Sequence, residues 1–259
     1  MKAEEIYELA LKMYESAGLI PREGIERMKE LEGIANYADA SEGQKKAEIV
    51  KELKNYIKEE KENMSYEKAL ALARYEQLPA ESEYWGLEDE DNHGITIAHE
   101  AAGWGKLPKD FDRWELADNN GWTVAHVAAA AQYGRLPENF ARWDLADKDG
   151  WTVAHVAAKW GHLPADFDRW EMADSDGWSV AHEAAKYGHL PANFDQWTIA
   201  DRKGWSVAHE AAKWGHLPKE FNIWEIKDNR GKTVAKIAEH FGNLPKCFIE
   251  KKREQEISY

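Results

Sequence analysis

Gly150-Trp151-Thr152-Val153-Ala154-His155-Val156-Ala157-Ala158-Lys159-Trp160-Gly161-His162-Leu163-Pro164 returns nearly unchanged at Gly177 and again at Gly204, an interval of 27 residues. Each copy runs on through a phenylalanine and a tryptophan (Phe167 and Trp170 in the first) to an aspartate that opens the next turn. Looser copies begin at Gly94, Gly121 and Gly231, and the one from Gly121 carries two extra residues at Ala130-Ala131. A fixed period in this range is the signature of a solenoid, in which each unit buries its apolar face only against its neighbours. Repetition therefore outranks composition as evidence for the fold.

Each repeated residue has a physical reason. In Asp174-Ser175-Asp176-Gly177 the glycine supplies the positive φ of a tight turn and the aspartate bonds nearby backbone amides. Thr96, Thr123, Thr152, Ser179, Ser206 and Thr233 stand where an N-cap is needed for a helix running into the alanines. The alanine pairs are small, so neighbouring backbones can approach, and they favour helix. Gly188 ends that helix, and Pro191 predicts the start of a second one of about two turns, with Phe194 and Trp197 on one face as anchors of the inter-repeat core. Each unit thus reads as a helix-turn-helix followed by a short turn.

The string G-x-T-x-x-H-x-A-A-x-x-G-H-L, written here as Gly150 to Leu163, resembles the first half of the ankyrin repeat, and the chain is similar to a divergent member of that family over roughly residues 90 to 250. The resemblance implies an all-α, ankyrin-like helical repeat solenoid with paired helices, and a structural, hydrogen-bonding role for the histidine of each unit. Two departures stand out. Val153-Ala154 occupies the place of Pro-Leu, and each unit is shorter than the family's usual repeat of about 33 residues. The missing residues fall after Trp170, so the hairpin fingers should be stubs and the stack tighter.

Residues 1–64 hold none of the 13 tryptophans and read as a separate N-terminal helical domain. Ile6, Leu9, Ala10 and Met13 recur at helical spacing, Gly18 stops that helix, Pro21 suits the start of a second, and Ser41 with Gln44 is a capping box for a third whose apolar face is Ala47, Val50, Leu53 and Ile57. Residues 65–259 form the repeats. A degenerate first unit spans 65–93, in which Tyr75, Leu78, Pro79 and Trp85 match Tyr187, Leu190, Pro191 and Trp197. Units follow from 94, 121, 150, 177 and 204. A capping unit, 231–259, replaces the histidine by Lys236 and the second tryptophan by Lys251.

The formal net charge of −14 argues against direct binding to nucleic acid or an anionic membrane and favours a basic partner surface. One cysteine, Cys247, gives no intramolecular disulfide, Met1-Lys2-Ala3-Glu4-Glu5 begins no signal peptide, and no apolar run is long enough to span a bilayer, so the expected setting is cytoplasmic.

Chemistry finds little support. His99, His126, His155, His182 and His209 share one repeat position, and a second set, His162, His189 and His216, lies in the Gly-His-Leu-Pro link. A regular stack spaces equivalent atoms about 10 Å apart, too far to share one metal ion, so both sets read as structural and no metal or other cofactor is expected. Asp118, Asp147, Asp174, Asp201 and Asp228 serve identical turns, and no phosphate loop, nucleophile elbow or nucleotide fingerprint is present.

The aromatic after the turn glycine is harder to explain: Trp122, Trp151, Trp178 and Trp205, becoming Ile95 and Lys232 at the two ends. Two roles are open. The indoles either pack against the next unit, replacing the packing that a full hairpin would supply, or form an exposed strip of the kind that marks binding sites. Beside them the residues between turn aspartate and glycine vary: Lys148-Asp149, Ser175-Asp176 and Arg202-Lys203. These ten residues are the candidate binding surface. The expected function is non-catalytic: a protein-binding or scaffold module recognising its partner through the repeats. The alternative is a small-ligand or sequestering protein with a pocket between adjacent repeats, for which the Ala130-Ala131 insertion is the first place to look. An enzyme ranks lower, because catalysis needs one asymmetric constellation and repetition supplies copies.

Overall fold

The computed structural model describes residues 8–10, 12–13, 42–75, 78–89, 92–131 and 136–245. The chain divides into two compact units, Met1–Asn119 with Ala131–Gly134, and Asn120–Ala130 with Arg135–Tyr259. Both are all-α in their described residues, and the second is a helical-repeat solenoid.

In the first unit, α1 spans Glu42–Glu62 and α2 spans Tyr66–Arg74, capped by the Ser65 hydroxyl, which accepts from the Lys68 amide. A short 3-10 turn at Glu83–Gly86 follows, then α3 at Ile97–Trp104, which packs on α2 and on that turn. The buried stripe of α1 differs from the expected one. Ile49 and Leu53 are buried, Val50 and Ile57 lie at the margin, and Ala47 is exposed. The helix is rotated so that the larger β-branched Ile49 takes the burial that Ala47 could only partly use. Of the two helices expected before it, only residues 8–10 and 12–13, which are helical, are described. In the degenerate unit Trp85 is buried, donates its indole N–H to the Pro79 carbonyl at 2.7 Å, and meets Phe111 edge to face at 5.5 Å.

The second unit stacks α4 (Val124–Ala130), α5 (Val153–Trp160), α6 (Val180–Tyr187), α7 (Val207–Trp214) and α8 (Val234–His240), each helix packing on the next. Each full helix is eight residues because its ends are written into the repeat. Ser179 caps α6 at the N-terminus, and Gly188, at φ +75°, closes it in the left-handed conformation, with His189 N–H returning to the Ala184 carbonyl at 2.8 Å. The turn glycines bring neighbouring turns close. A Cβ on Gly150, at φ +83°, would lie 2.9 Å from the Ser175 amide nitrogen of the next unit.

Among the described residues the expected second helix of the units does not form. From Pro191 the chain makes two successive turns, Phe194 N–H bonding the Pro191 carbonyl at 3.0 Å and Ile199 N–H that of Gln196 at 3.3 Å. The carbonyls that a helix would have used internally serve the next unit instead. Val207 and Ala208, at the start of α7, donate to Ile199 and Trp197 at 2.9 and 3.1 Å. The segment therefore satisfies the open N-terminus of the following helix, a need that outweighs its own helical spacing. Phe194 and Trp197 do anchor the core, as links in a chain of edge-to-face rings. Phe140, Trp143, Phe167, Trp170, Phe194, Trp197, Phe221 and Trp224 follow one another at centroid separations of 5.0 to 5.8 Å. The hairpin after them is reduced to a single bridge, as at Ala173 with Ser179 and Ala200 with Ser206.

Candidate functional site

The histidines build the interfaces. Thr152 N–H donates to His155 Nδ1 at 3.1 Å, and His155 N–H donates to the Thr152 hydroxyl at 3.4 Å, a capping box with histidine in the place of glutamate. A backbone amide can only donate, so Nδ1 carries the lone pair and Nε2 the proton. That proton goes to the next unit: Nε2 of His155 donates to the Trp178 carbonyl at 2.9 Å, of His182 to Trp205 at 2.8 Å, and of His209 to Lys232 at 3.0 Å. His126 makes the same bond to Trp151, and in the first unit His99 caps Thr96. Burial holds the imidazoles of His155, His182 and His209 below the usual histidine range, against the opposing pull of the carbonyls they meet and of nearby aspartates. The second histidine set works in the opposite direction. His162, His189 and His216 bond back through Nδ1 to the carbonyls of Ala129, Ala158 and Ala185 at 2.8 to 2.9 Å. Each interface between full units is thus tied at both ends of its helix.

The aspartates make the turns. Asp174 Oδ1 accepts from the Asp176 and Trp178 amides at 2.9 Å each, and Asp147, Asp201 and Asp228 repeat the pattern. Neighbouring turns are laddered through backbone, with Ser175 N–H to the Asp149 carbonyl at 3.2 Å and Lys148 N–H to Asn120 at 3.1 Å. Lys148, Asp149, Ser175, Asp176, Arg202 and Lys203 all expose their side chains from this ladder.

Trp122, Trp151, Trp178 and Trp205 occupy a middle position, half-buried, each indole lying over the imidazole of its own unit at 4.7 to 5.2 Å. Two of them are pinned at the far edge. Trp178 Nε1 donates to Glu183 Oε2 at 2.9 Å, and Trp205 Nε1 to Glu210 Oε2 at 2.8 Å. Both glutamates are buried, at a position that holds Glu100 in the unit from Gly94 and Val127, Val156 and Ile237 in those from Gly121, Gly150 and Gly231. Burial pushes the Glu183 carboxyl up, opposed by the Trp178 indole and the Lys186 ammonium.

A second aromatic row, to which sequence reading assigned no role, stands at the helix ends. Trp160 is 51% exposed, Tyr187 39%, Trp214 48% and Phe241 48%, and with Ile223 they are the exposed large apolar side chains among the described residues of this unit. The ammonium of the preceding lysine lies over each of the first three rings, Lys159 at 5.6 Å, Lys186 at 5.0 Å and Lys213 at 5.1 Å. Trp214 Nε1 donates to the remaining oxygen of Glu210 at 2.6 Å, so one carboxylate joins the turn row to the helix-end row. Both rows therefore lie on one face of the stack. The signal in the sequence was an aromatic placed directly before the left-handed glycine, where a helix end cannot cover it.

Among the described residues no group of three or more His, Cys, Asp or Glu side chains is placed to hold a metal ion, and no helix is long and apolar enough to cross a membrane. Lys251 and Cys247 lie outside the described residues, as do the residues that follow the Ala130-Ala131 insertion. An open cavity of about 370 Å³ is found elsewhere, between the units of α7 and α8, lined by Trp205, Lys213, Lys232, Lys236, Ile237, His240 and Phe241. No protein-family model matches the chain, and no curated protein matches it in sequence.

Proposed function

We propose that the repeats are a non-catalytic recognition module that binds another protein along the face carrying the two aromatic rows. The observation that carries this reading is an exposed aromatic row, Trp160, Tyr187 and Trp214, beside a half-exposed indole row in which buried Glu183 pins Trp178 and buried Glu210 pins Trp205 and bonds Trp214 as well. Tryptophan and tyrosine on a rigid support are the residues from which interface hot spots are made. The glutamates add weight: burying a carboxylate is costly, and units with valine there show that the stack does not require it. Lys148, Asp149, Ser175, Asp176, Arg202 and Lys203, varied side chains on a regular ladder, would tune selectivity. The net charge of −14 favours encounter with a basic partner surface. The first half of each unit, closed by Gly-His-Leu in the three from Gly150, Gly177 and Gly204, resembles the ankyrin repeat, and a reducing, cytoplasmic setting suits the single cysteine. Residues 1–64 form a separate helical domain in this reading, with the repeats beginning at 65.

The test is affinity capture from native lysate with the intact chain and with Trp160→Ala/Tyr187→Ala/Trp214→Ala, both checked for helicity and followed by mass spectrometry. A protein retained by the intact chain and lost by the folded variant supports the reading. Retention undiminished in that variant, and equally in Lys148→Ala/Ser175→Ala/Arg202→Ala, overturns it.

A further inference from the structure

The last interface of the stack departs from the one before it in a consistent way. Between α6 and α7 the indoles of Trp205 and Trp214 are both bonded to buried Glu210, with the Lys213 ammonium 3.6 Å from that carboxylate. One unit later the equivalent positions hold Lys232 for Trp205, Lys236 for His209, Ile237 for Glu210, His240 for Lys213 and Phe241 for Trp214. The indole–carboxylate–indole clamp cannot form, and the residues that stand in its place line the cavity of about 370 Å³. Its apolar parts are Ile237, the ring of Phe241 and the indole of Trp205, and its rim carries Lys213, Lys232 and Lys236 with His240 alongside.

Charge is the second feature. Lys213 has Glu210 as its partner, whereas Lys232 and Lys236 pair with no carboxylate among the described residues. Their backbone is nevertheless held. The Lys232 carbonyl accepts from His209 Nε2 at 3.0 Å, its amide donates to Asp228 Oδ1 at 2.7 Å, and the Lys236 amide donates to Thr233 Oγ1 at 3.2 Å. A terminal unit needs polar residues to stop further stacking. That need is met by any charge, and in a chain of net charge −14 it does not call for lysines gathered round an apolar floor.

We propose that this end cavity binds a small ring-bearing anion, an aromatic or heteroaromatic molecule carrying a carboxylate or phosphate. The ring lies against Trp205, Phe241 and Ile237, and the acid group is held by Lys232 and Lys236, with Lys213 near. The volume falls in the range of small-molecule sites, which pair an apolar lining with a few convergent charges. Cation–π attraction and charge-assisted hydrogen bonds add in such a ligand, and a neutral ring or a bare anion uses only one of them.

Calorimetric titration of the full chain with indole-3-acetate and adenosine 5′-monophosphate, beside neutral adenosine and inorganic phosphate, tests this. Two variants accompany it. Lys232→Trp/Lys236→His/Ile237→Glu rewrites the last unit in the image of its neighbour and fills the cavity, and Lys232→Met/Lys236→Met leaves the cavity and removes the charge. At least one ring-bearing anion should bind with a dissociation constant below about 1 mM, about tenfold or more tighter than adenosine and phosphate, and lose about tenfold or more in both variants. The proposal is overturned if neither anion saturates in that range, if adenosine binds as tightly, or if the lysine-to-methionine variant binds undiminished. This last variant changes only two side chains at the cavity rim, so it decides the matter even if the filled variant does not fold.

Discussion

At the scale of the residue, His155, His182 and His209 each accept at Nδ1 from the backbone N–H and the hydroxyl of the N-cap residue and offer one proton at Nε2, so the neutral form is the one the structure requires. Protonation would place a third donor against the Thr152 or Ser179 amide. Burial already holds His155, His182 and His209 below their ordinary range. A histidine pKa depressed in the folded state contributes stability that is fully present above the unfolded value of about 6.5 and is lost as pH falls from there through the folded values. Urea midpoints measured at about pH 7.5 and about pH 5.5 should therefore fall at the lower pH. In His155→Gln/His182→Gln, where the amide oxygen accepts the same backbone N–H and cannot titrate, the fall should be smaller. An unchanged fall would move the pH dependence to other groups.

At the scale of the element, the turn pair from Pro191 to Ile199 takes the place of the expected helix without forming one. It ends each unit, caps the next helix through the Trp197 and Ile199 carbonyls, and sets two rings into the edge-to-face chain. Phe194→Ala would open a cavity between two tryptophans, at a cost of about 3 kcal/mol or more. Thermal unfolding should show this as a lower midpoint, and a midpoint within error of the parent would mean that the rings do not bear on stability. The first half of each unit was legible in the sequence because local chemistry decides it: Thr or Ser before the helix, histidine three residues on, glycine after it. The second half was not. Phe-x-x-Trp suits a helix face and a pair of turns equally, and the choice was made by carbonyls needed in the next unit. The site was half legible for a similar reason. Trp122, Trp151, Trp178 and Trp205 stand out in the sequence as a row, but their half-burial comes from lying over the imidazole of their own unit, and the exposure of Trp160 and Trp214 depends on where the helix stops.

At the scale of the molecule, the second unit is a one-dimensional stack whose interfaces from α4 to α7 repeat the same ties: turn ladder, forward histidine, backward histidine, aromatic pair. Stability in such an array is nearest-neighbour, so a helix with two complete interfaces opens less readily than one at an end. Helix α8 lacks the capping histidine, and Asn243 rather than histidine bonds back to the Ala212 carbonyl, at 3.1 Å. Amide hydrogen exchange should accordingly show α6 as more protected than α8, by about tenfold or more in rate. Equal protection would mean that the stack opens as one cooperative block.

The ring chain also has an optical consequence. Trp143, Trp170, Trp197 and Trp224 recur at one place in successive units, with a phenylalanine edge-on between each pair. Indoles so placed exchange excitation energy, so light absorbed by one is emitted by another, and the emission loses its polarisation on the way. The stack is its own antenna: a quencher that reaches exposed Trp160 or Trp214 drains excitation from buried indoles it never touches.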